Sequence, residues 1–173
     1  MSELLLLKPS KELKGLIWDY RQEYFDFGEA SIDGSYGLAR YKDFDQWLED
    51  VLSVEKNQLS KRNVHESTFF SIRQSDNKII GSIQIRHSLT PKLERHGGHI
   101  GYAIRPSERG KGYGKKQLSL GLDIAERLGV RKVVITCNAD NIASSKTIIS
   151  CGGRLVFENV YDGTPQQIFE IAL

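Results

Sequence analysis

The amino-acid sequence predicts an α/β protein in which helices pack on a mixed central β-sheet. Hydrophobic residues recur at helical spacing in four segments, and they alternate or run continuously at strand spacing in seven others. Along the chain these segments follow the order β-α-α-β-β-β-α-β-α-β-β. Strands interspersed with helices in this way favour a three-layer arrangement, with the sheet between layers of helices.

The N-terminal part of the chain is predicted to contain one short strand and two amphipathic helices. The strand covers residues 4–8, and the first helix begins at Ser10, which is suited to be its N-cap. Asp43 and Gln46 resemble a capping box at the start of the second helix, which extends to about residue 59. One face of the first helix is apolar and consists of Leu13, Leu16, Ile17, Tyr20 and Tyr24.

The middle of the chain changes to strand periodicity. Two strands are predicted at 68–73 and 79–86, joined by the turn residues 75–77. Residues 91–98 are predicted to be a loop, and alternation from residue 100 to 104 indicates a third strand.

The C-terminal part is predicted to return to alternating helices and strands. A helix is expected at 112–128, followed by a short apolar strand, Val133–Ile135, whose flanking helices predict a central position in the sheet. Asp140 is expected to cap a further helix that ends near Cys151. Two final strands flank the turn Asp162-Gly163.

Composition limits the classes of function. The 173 residues fit one domain spanning 1–173, and a net charge of +2 provides no basis for binding nucleic acid or a membrane surface. The leucine run after Glu3 is far shorter than the ~20 residues that span a bilayer. Cys137 and Cys151 form no metal-ligand pattern, so we expect two reduced thiols in a cytoplasmic protein.

The most informative segment is the glycine-rich stretch that joins the third strand to the following helix. It reads Arg-Gly-Lys-Gly-Tyr-Gly from Arg109 to Gly114. Glycines allow tight turns and close approach of a ligand, while the free amides of a helix N-terminus attract anions. A plain connecting turn is the alternative, but the stretch also collects four cations, namely Arg109, Lys111, Lys115 and Lys116.

The glycine spacing excludes two common nucleotide-binding loops. A Walker A loop has four residues between its glycines and then Gly-Lys-Ser/Thr, whereas only three residues separate Gly110 from Gly114. A dinucleotide-binding loop needs a third glycine where Lys115 stands. The segment therefore predicts a phosphate site of another kind.

Arg109-x-x-Gly112-x-Gly114 resembles the Arg/Gln-x-x-Gly-x-Gly/Ala motif of the GNAT acyltransferase superfamily. The later Asn141-x-x-Ser144 resembles the next helix of that superfamily, and the order of elements agrees over essentially the whole chain. Two further segments, 97–102 and 136–138, resemble a bacterial subgroup of predicted acetyltransferases.

This resemblance implies that acetyl-CoA is the cofactor and that specific residues hold it. Backbone groups of the third strand would bind the pantetheine arm, loop amides would bind the pyrophosphate, and the next helix would lie near the thiol. Lys146 would either reach a phosphate or remain solvated. The residues implied in cofactor binding are Tyr102, Ile104, Arg109, Gly110, Lys111, Gly112, Tyr113, Gly114, Asn141 and Ser144.

The sequence leaves the acid and base of an acetyl transfer open. His99 precedes the third strand and is the candidate general base, ahead of His87 and His96; packing or hydrogen bonding near a strand start is the alternative role. Ile148 occupies the position at which related enzymes often carry a tyrosine as general acid. Water, Tyr161 or another residue would then serve, or the thiolate would leave unaided.

The acceptor is expected to be a small amine or a peptide amine. The loop between the first two helices carries Asp26, Glu29 and Asp33 among aromatic residues, which suits a cation, although a solvated loop would look the same. The predicted function is an N-acetyltransferase, and the alternative is a non-catalytic acyl-CoA sensor. No nucleic-acid or membrane partner is expected, and a homodimer is compatible with the sequence.

Overall fold

The computed structural model describes residues 3–173. It contains four antiparallel strands in one sheet, three in a second sheet and five α-helices around them. In chain order the elements are β1 (Leu4–Leu7), α1 (Lys14–Asp26), α2 (Phe44–Lys56), β2 (Glu66–Arg73), β3 (Lys78–Arg86), α3 (Pro91–Arg95), β4 (Ile100–Ile104), α4 (Tyr113–Arg127), β5 (Lys132–Asn138), α5 (Ile142–Ser150), β6 (Arg154–Tyr161) and β7 (Thr164–Ala172).

The two sheets meet where β4 begins. The first has the order β1-β2-β3-β4 and the second has the order β5-β7-β6. His99 N donates to Val134 O at 2.7 Å, and Gly98 forms an isolated bridge with Ile135. The α/β architecture is confirmed. The expected central position of β5 was wrong, because β5 is an edge strand of the second sheet and lies beside β4.

Each face of the first sheet carries its own core. The face toward α1 and α2 is aromatic: Trp47 and Tyr20 are fully buried and pack on Phe70 of β2. The opposite face is aliphatic and packs on α4, whose Gly121 leaves room for Ile83, since a Cβ there would lie 2.4 Å from Ile83 Cδ1. At the edge of this aliphatic core, β4 and β5 belong to different sheets, and we call the gap between them, bordered by α4 and α5, the cleft.

Local capping explains where the helices begin. Asp43 accepts hydrogen bonds from the amides of Asp45 and Gln46, which confirms it as the N-cap of α2. Asn141, and not Asp140 as expected, caps α5, because its side chain accepts from Ser144 N. Ser10 begins a 3₁₀ turn (Lys11–Leu13) that leads into α1.

One segment expected to be a loop contains a helix. Pro91 stands at the first position of the five-residue α3, and Thr90 Oγ1 accepts from Leu93 N at 3.3 Å, so the start is well formed. Its five residues are too few to show an apolar repeat at helical spacing. Within residues 3–173 no helix is both long and apolar enough to span a bilayer.

Candidate active site

The glycine-rich loop forms a tight turn at the N-terminus of α4. Gly110 and Gly112 have φ values of +74° and +81°, a region that side-chain-bearing residues rarely adopt. Gly112 is the N-cap and offers no side chain to the first amides of the helix. Residues 109–112 are exposed, so these amides and the positive end of the helix dipole are open to an anion.

Lys111 and Arg109 of the loop have carboxylate partners. Lys111 Nζ lies 3.1 Å from Glu108. Arg109 forms a bidentate pair with Glu29 at 2.6 and 2.9 Å, and its Nε donates to Ile104 O. These two pairs neutralise part of the positive charge around the loop. The backbone amides therefore contribute more to binding an anion than the sequence suggests.

Glu108 is a buried anchor beneath the loop that the sequence reading missed. Its carboxylate binds Arg73 and Lys78, each at 2.9 Å, in addition to Lys111. Burial disfavours the charged form, but the hydrogen bonds from Lys78, Arg73 and Lys111 outweigh it and lower the pKa of Glu108 to about 2. Glu108 and Lys111, three residues apart, were the sequence signal for this contact.

Tyr113 contributes to the loop through its backbone alone. Its ring is buried against Leu4 and Ile80, and its hydroxyl lies 3.1 Å from Arg73 Nη1. Gly114 sits in the first turn of α4, where a Cβ would lie 3.4 Å from Thr147 Oγ1 of α5. A glycine here lets α4 and α5 approach each other closely at the mouth of the cleft.

The backbone of β4 offers one free edge to this cleft. Arg105 N donates to Ile80 O of β3 and His99 O accepts from Arg86 N of the same strand. In an antiparallel pair, the N–H and C=O groups of successive residues point alternately toward and away from the neighbouring strand. Since His99 and Arg105 point theirs toward β3, the N–H and C=O groups of Tyr102 and Ile104 point away from it. Ile104 O accepts from Tyr24 Oη at 2.9 Å as well as from Arg109, so the free edge is centred on Tyr102.

The opposite wall of the cleft is the N-terminal turn of α5. Asn141 is exposed but its Oδ1 is engaged by Ser144 N at 3.1 Å. Tyr102 Oη reaches across from β4 to lie 3.1 Å from Ser144 Oγ. Ser144 also interacts with the Cys137 thiol, whose pKa is raised by burial. Strands β4 and β5 and helix α5 therefore meet at these three side chains.

Ile148 and Tyr161 do not provide a phenol at this wall. Ile148 is fully buried, and Gly153 packs so closely that a Cβ would lie 2.5 Å from Ile148 Cγ2. Tyr161 lies at the end of β6 and stacks on His96, with ring centroids 3.6 Å apart. Ile148 is held by its packing on Gly153, and Tyr161 by its stacking on His96.

His99 is held between the two sheets. Val134 N donates to His99 Nδ1 at 3.0 Å, and the residue is 8% exposed. Burial, with Arg86 and Lys132 nearby, lowers the pKa of His99 to about 4. The neutral ring must therefore carry its proton on Nε2, because Nδ1 accepts from a backbone amide, and it has no free basic nitrogen.

The loop between α1 and α2 packs directly on β4. Gly34 lies so close that a Cβ would be 2.4 Å from Gly101 O, and Ser82 Oγ donates to Asp33 O at 2.8 Å. Asp33 is exposed to solvent on one side, yet desolvation by the surrounding protein raises the pKa of its carboxyl group. Arg86 opposes this shift and Glu29 adds to it.

A family model described as "Acetyltransferase (GNAT) domain" matches residues 21–154, well over half of the chain. A search of curated protein sequences found no match. Solved structures do resemble the fold. The ribosomal-protein alpha-N-acetyltransferase RimL in complex with coenzyme A has a TM-score of 0.71 at 17% identity, over 100% of this chain and 96% of that one.

Two further solved structures show the same similarity. The microcin C7 self-immunity acetyltransferase MccE, in complex with acetyl-CoA and AMP, has a TM-score of 0.71 at 17% identity and covers 99% of this chain and 93% of its own. A chimera of the spermidine N-acetyltransferase SpeG from Vibrio cholerae and hSSAT has a TM-score of 0.66 at 17% identity, covering 99% and 96%.

The fold and the loop thus define an acyltransferase of the α/β class. The chain belongs to the GNAT acetyltransferase family, whose domain model matches residues 21–154.

Proposed function

We propose that this chain transfers the acetyl group of acetyl-CoA to a primary amine by direct attack on the thioester. One observation supports the proposal above all. The N-terminus of α4 has no side-chain cap, and it follows a turn formed by Gly110 and Gly112. Its amides would bind the pyrophosphate. The pantetheine arm would follow the free edge of β4 at Tyr102 and pass Asn141 and Ser144 of α5.

The acceptor amine would enter beside the α1–α2 loop, with Asp33 as its counter-ion. Asp33 is chosen because its backbone lies next to the strand that lines the cleft: Gly34 packs on Gly101, and Asp33 O accepts from Ser82 Oγ. Glu29 is less suited because it is paired with Arg109. A carboxylate at this place would bind an ammonium group before it loses its proton.

We assign His99 a structural role and not that of the general base. Its Nδ1 accepts from Val134 N, and its low pKa makes it a weak base at neutral pH. The proton of the amine would pass to water in the open cleft. This assignment replaces the catalytic role that the position of His99 in the sequence suggested.

A non-catalytic acyl-CoA-binding protein is the second candidate function. Ile148 favours it, because α5 carries a buried aliphatic residue where a phenol would serve transfer. Such a protein would bind the cofactor without releasing coenzyme A.

A thiol-release screen separates the two candidates. Acetyl-CoA is offered with polyamines, amino acids, aminoglycosides and peptides with free N-termini. We expect turnover with one cationic class, and Asp33→Asn should raise the KM for that amine about 10-fold, as loss of a charge pair does. Asp26→Asn is the control, since that carboxylate accepts from Gln22 of its own helix. Cofactor binding without turnover on any amine would favour the sensor.

The chain would act as a single domain and as a homodimer joined through β6. That strand is an edge of its sheet and exposes Leu155, Phe157 and Val160. Antiparallel pairing of this edge with the same edge of a second copy would cover these three apolar side chains. Light scattering should then give twice the mass of the chain, and a monomer at micromolar concentration would refute this pairing.

A further inference from the structure

The phenol of Tyr102 occupies the junction of β4, β5 and α5. Its Oη lies 3.1 Å from Ser144 Oγ and 3.4 Å from Ser144 O. Ser144 interacts in turn with the Cys137 thiol of β5. The hydroxyl therefore stands at the gap between the two strands, on the wall past which the thioester of the donor must run.

The other tyrosines named above are held by other contacts. Tyr24 Oη donates to Ile104 O, Tyr113 Oη binds Arg73, and Tyr161 stacks on His96. Tyr102 is thus the phenol that can reach a sulfur atom bound between β4 and α5.

We propose that Tyr102 Oη donates a hydrogen bond to the sulfur of coenzyme A as the thioester breaks. This role rests on the proposed function. The amine nitrogen forms the new bond to the acetyl carbon, the carbon–sulfur bond breaks, and its electron pair stays on sulfur. The amine's proton passes to water, and water protonates the thiolate after release.

The surroundings of Tyr102 suit a phenol that donates a hydrogen bond and keeps its proton. Burial raises the pKa of Tyr102 to about 12, so the phenol keeps its hydrogen throughout the neutral range. In the structure Tyr102 Oη donates to Ser144 O over a long 3.4 Å contact. When Ser144 Oγ donates to Tyr102 Oη, the phenolic hydrogen can turn from Ser144 O to the sulfur. A donor already fixed in place stabilises developing charge without reorganisation.

Tyr102→Phe removes the hydrogen bond and keeps the ring that packs in the core. We expect kcat to fall about 10- to 100-fold, as the loss of a single donor to a developing anion does. The affinity for coenzyme A, measured by calorimetry, should change less than about twofold. Ser144→Ala, which removes a partner of the phenol, should lower kcat less.

Three results would overturn the inference. They are an unchanged kcat in Tyr102→Phe, a loss of activity explained wholly by weaker binding of coenzyme A, or a greater loss of kcat in Ser144→Ala. Wild-type turnover in the same assay keeps this test separate from the proposed function, because failure of the wild type would refute that function instead.

A second measurement does not depend on how the phenylalanine variant folds. A difluorinated tyrosine at position 102 has a lower phenol pKa and nearly the same shape. We expect kcat to decline at high pH in this protein and not in the wild type, because the ionised phenol cannot donate. Identical pH profiles would contradict the role of Tyr102.

Discussion

The two walls of the cofactor cleft are built differently. The loop wall rests on Glu108, which is buried and binds three cations, and on the closely packed start of α4. The α5 wall is held by one cap and by Ile148, its single buried residue, while Ile142 and Ile149 are exposed. The wall assigned to the phosphates is thus preformed, whereas the wall next to the thioester is more lightly anchored.

The largest effect should follow from disrupting the loop wall. Gly112→Glu combines a side chain at φ +81° with a negative charge beside the phosphates. We expect it to abolish the rise in melting temperature that acetyl-CoA produces. Gly15→Glu makes the same change at an open position of α1, where no atom lies within 4 Å of a Cβ, and should keep that rise.

Removing the charge of Glu108 should destabilise the protein by about 2–3 kcal/mol at neutral pH, since three cations lose a buried partner. Because the folded-state pKa of about 2 is below the ordinary value of 4.5, this stability is present above pH 4.5. It is lost as the pH falls from there toward 2. Urea unfolding should therefore show the wild type and Glu108→Gln converging in acid.

Asp76→Asn is the matched control for Glu108, because it removes an exposed partner of the same Arg73. Asp76→Asn should lower the free energy of unfolding by less than Glu108→Gln does. Equal losses in the two variants would show that burial of Glu108 contributes nothing special.

His99→Gln should destabilise the fold by about 1–2 kcal/mol through the weakened acceptor for Val134 N, with kcat nearly unchanged. The folded-state pKa of about 4 lies below 6.5, so the neutral ring stabilises the fold above pH 6.5, and this contribution is lost as the pH falls toward 4. Denaturant unfolding and steady-state kinetics on the same samples measure both. A 100-fold loss of kcat with the fold intact would restore His99 as the base.

The smallest effect is expected at the pair that joins the loop wall to the α1–α2 loop. Arg109 and Glu29 are both substantially exposed, so Glu29→Gln should change stability by less than about 1 kcal/mol. It should also tighten acetyl-CoA binding two- to threefold, since Arg109 becomes available to the phosphates. Weaker binding in calorimetry would show that the pair holds the loop in its binding shape.

The difference between local patterns and long-range contacts explains what the sequence could predict. Periodicity predicted all seven strands and the four longer helices, and spacing singled out the loop at Arg109–Gly114, because these depend on local patterns. The contact of Glu108 with Arg73 and the contact of Tyr102 with Ser144 join residues 35 and 42 positions apart. Such contacts depend on how the strands are arranged, and no local pattern encodes them. The contact between His99 and Val134 could not be predicted either, because the two residues lie 35 positions apart on different sheets.

Hydrogen exchange with saturating acetyl-CoA tests the central claim most directly. If the N-terminus of α4 holds the pyrophosphate, the amides of Tyr113 to Lys115 should be strongly protected, and that of Tyr102 as well. The remote β6–β7 turn at Asp162 should be unaffected. Binding that leaves the exchange of the Tyr113–Lys115 amides unchanged would contradict the account.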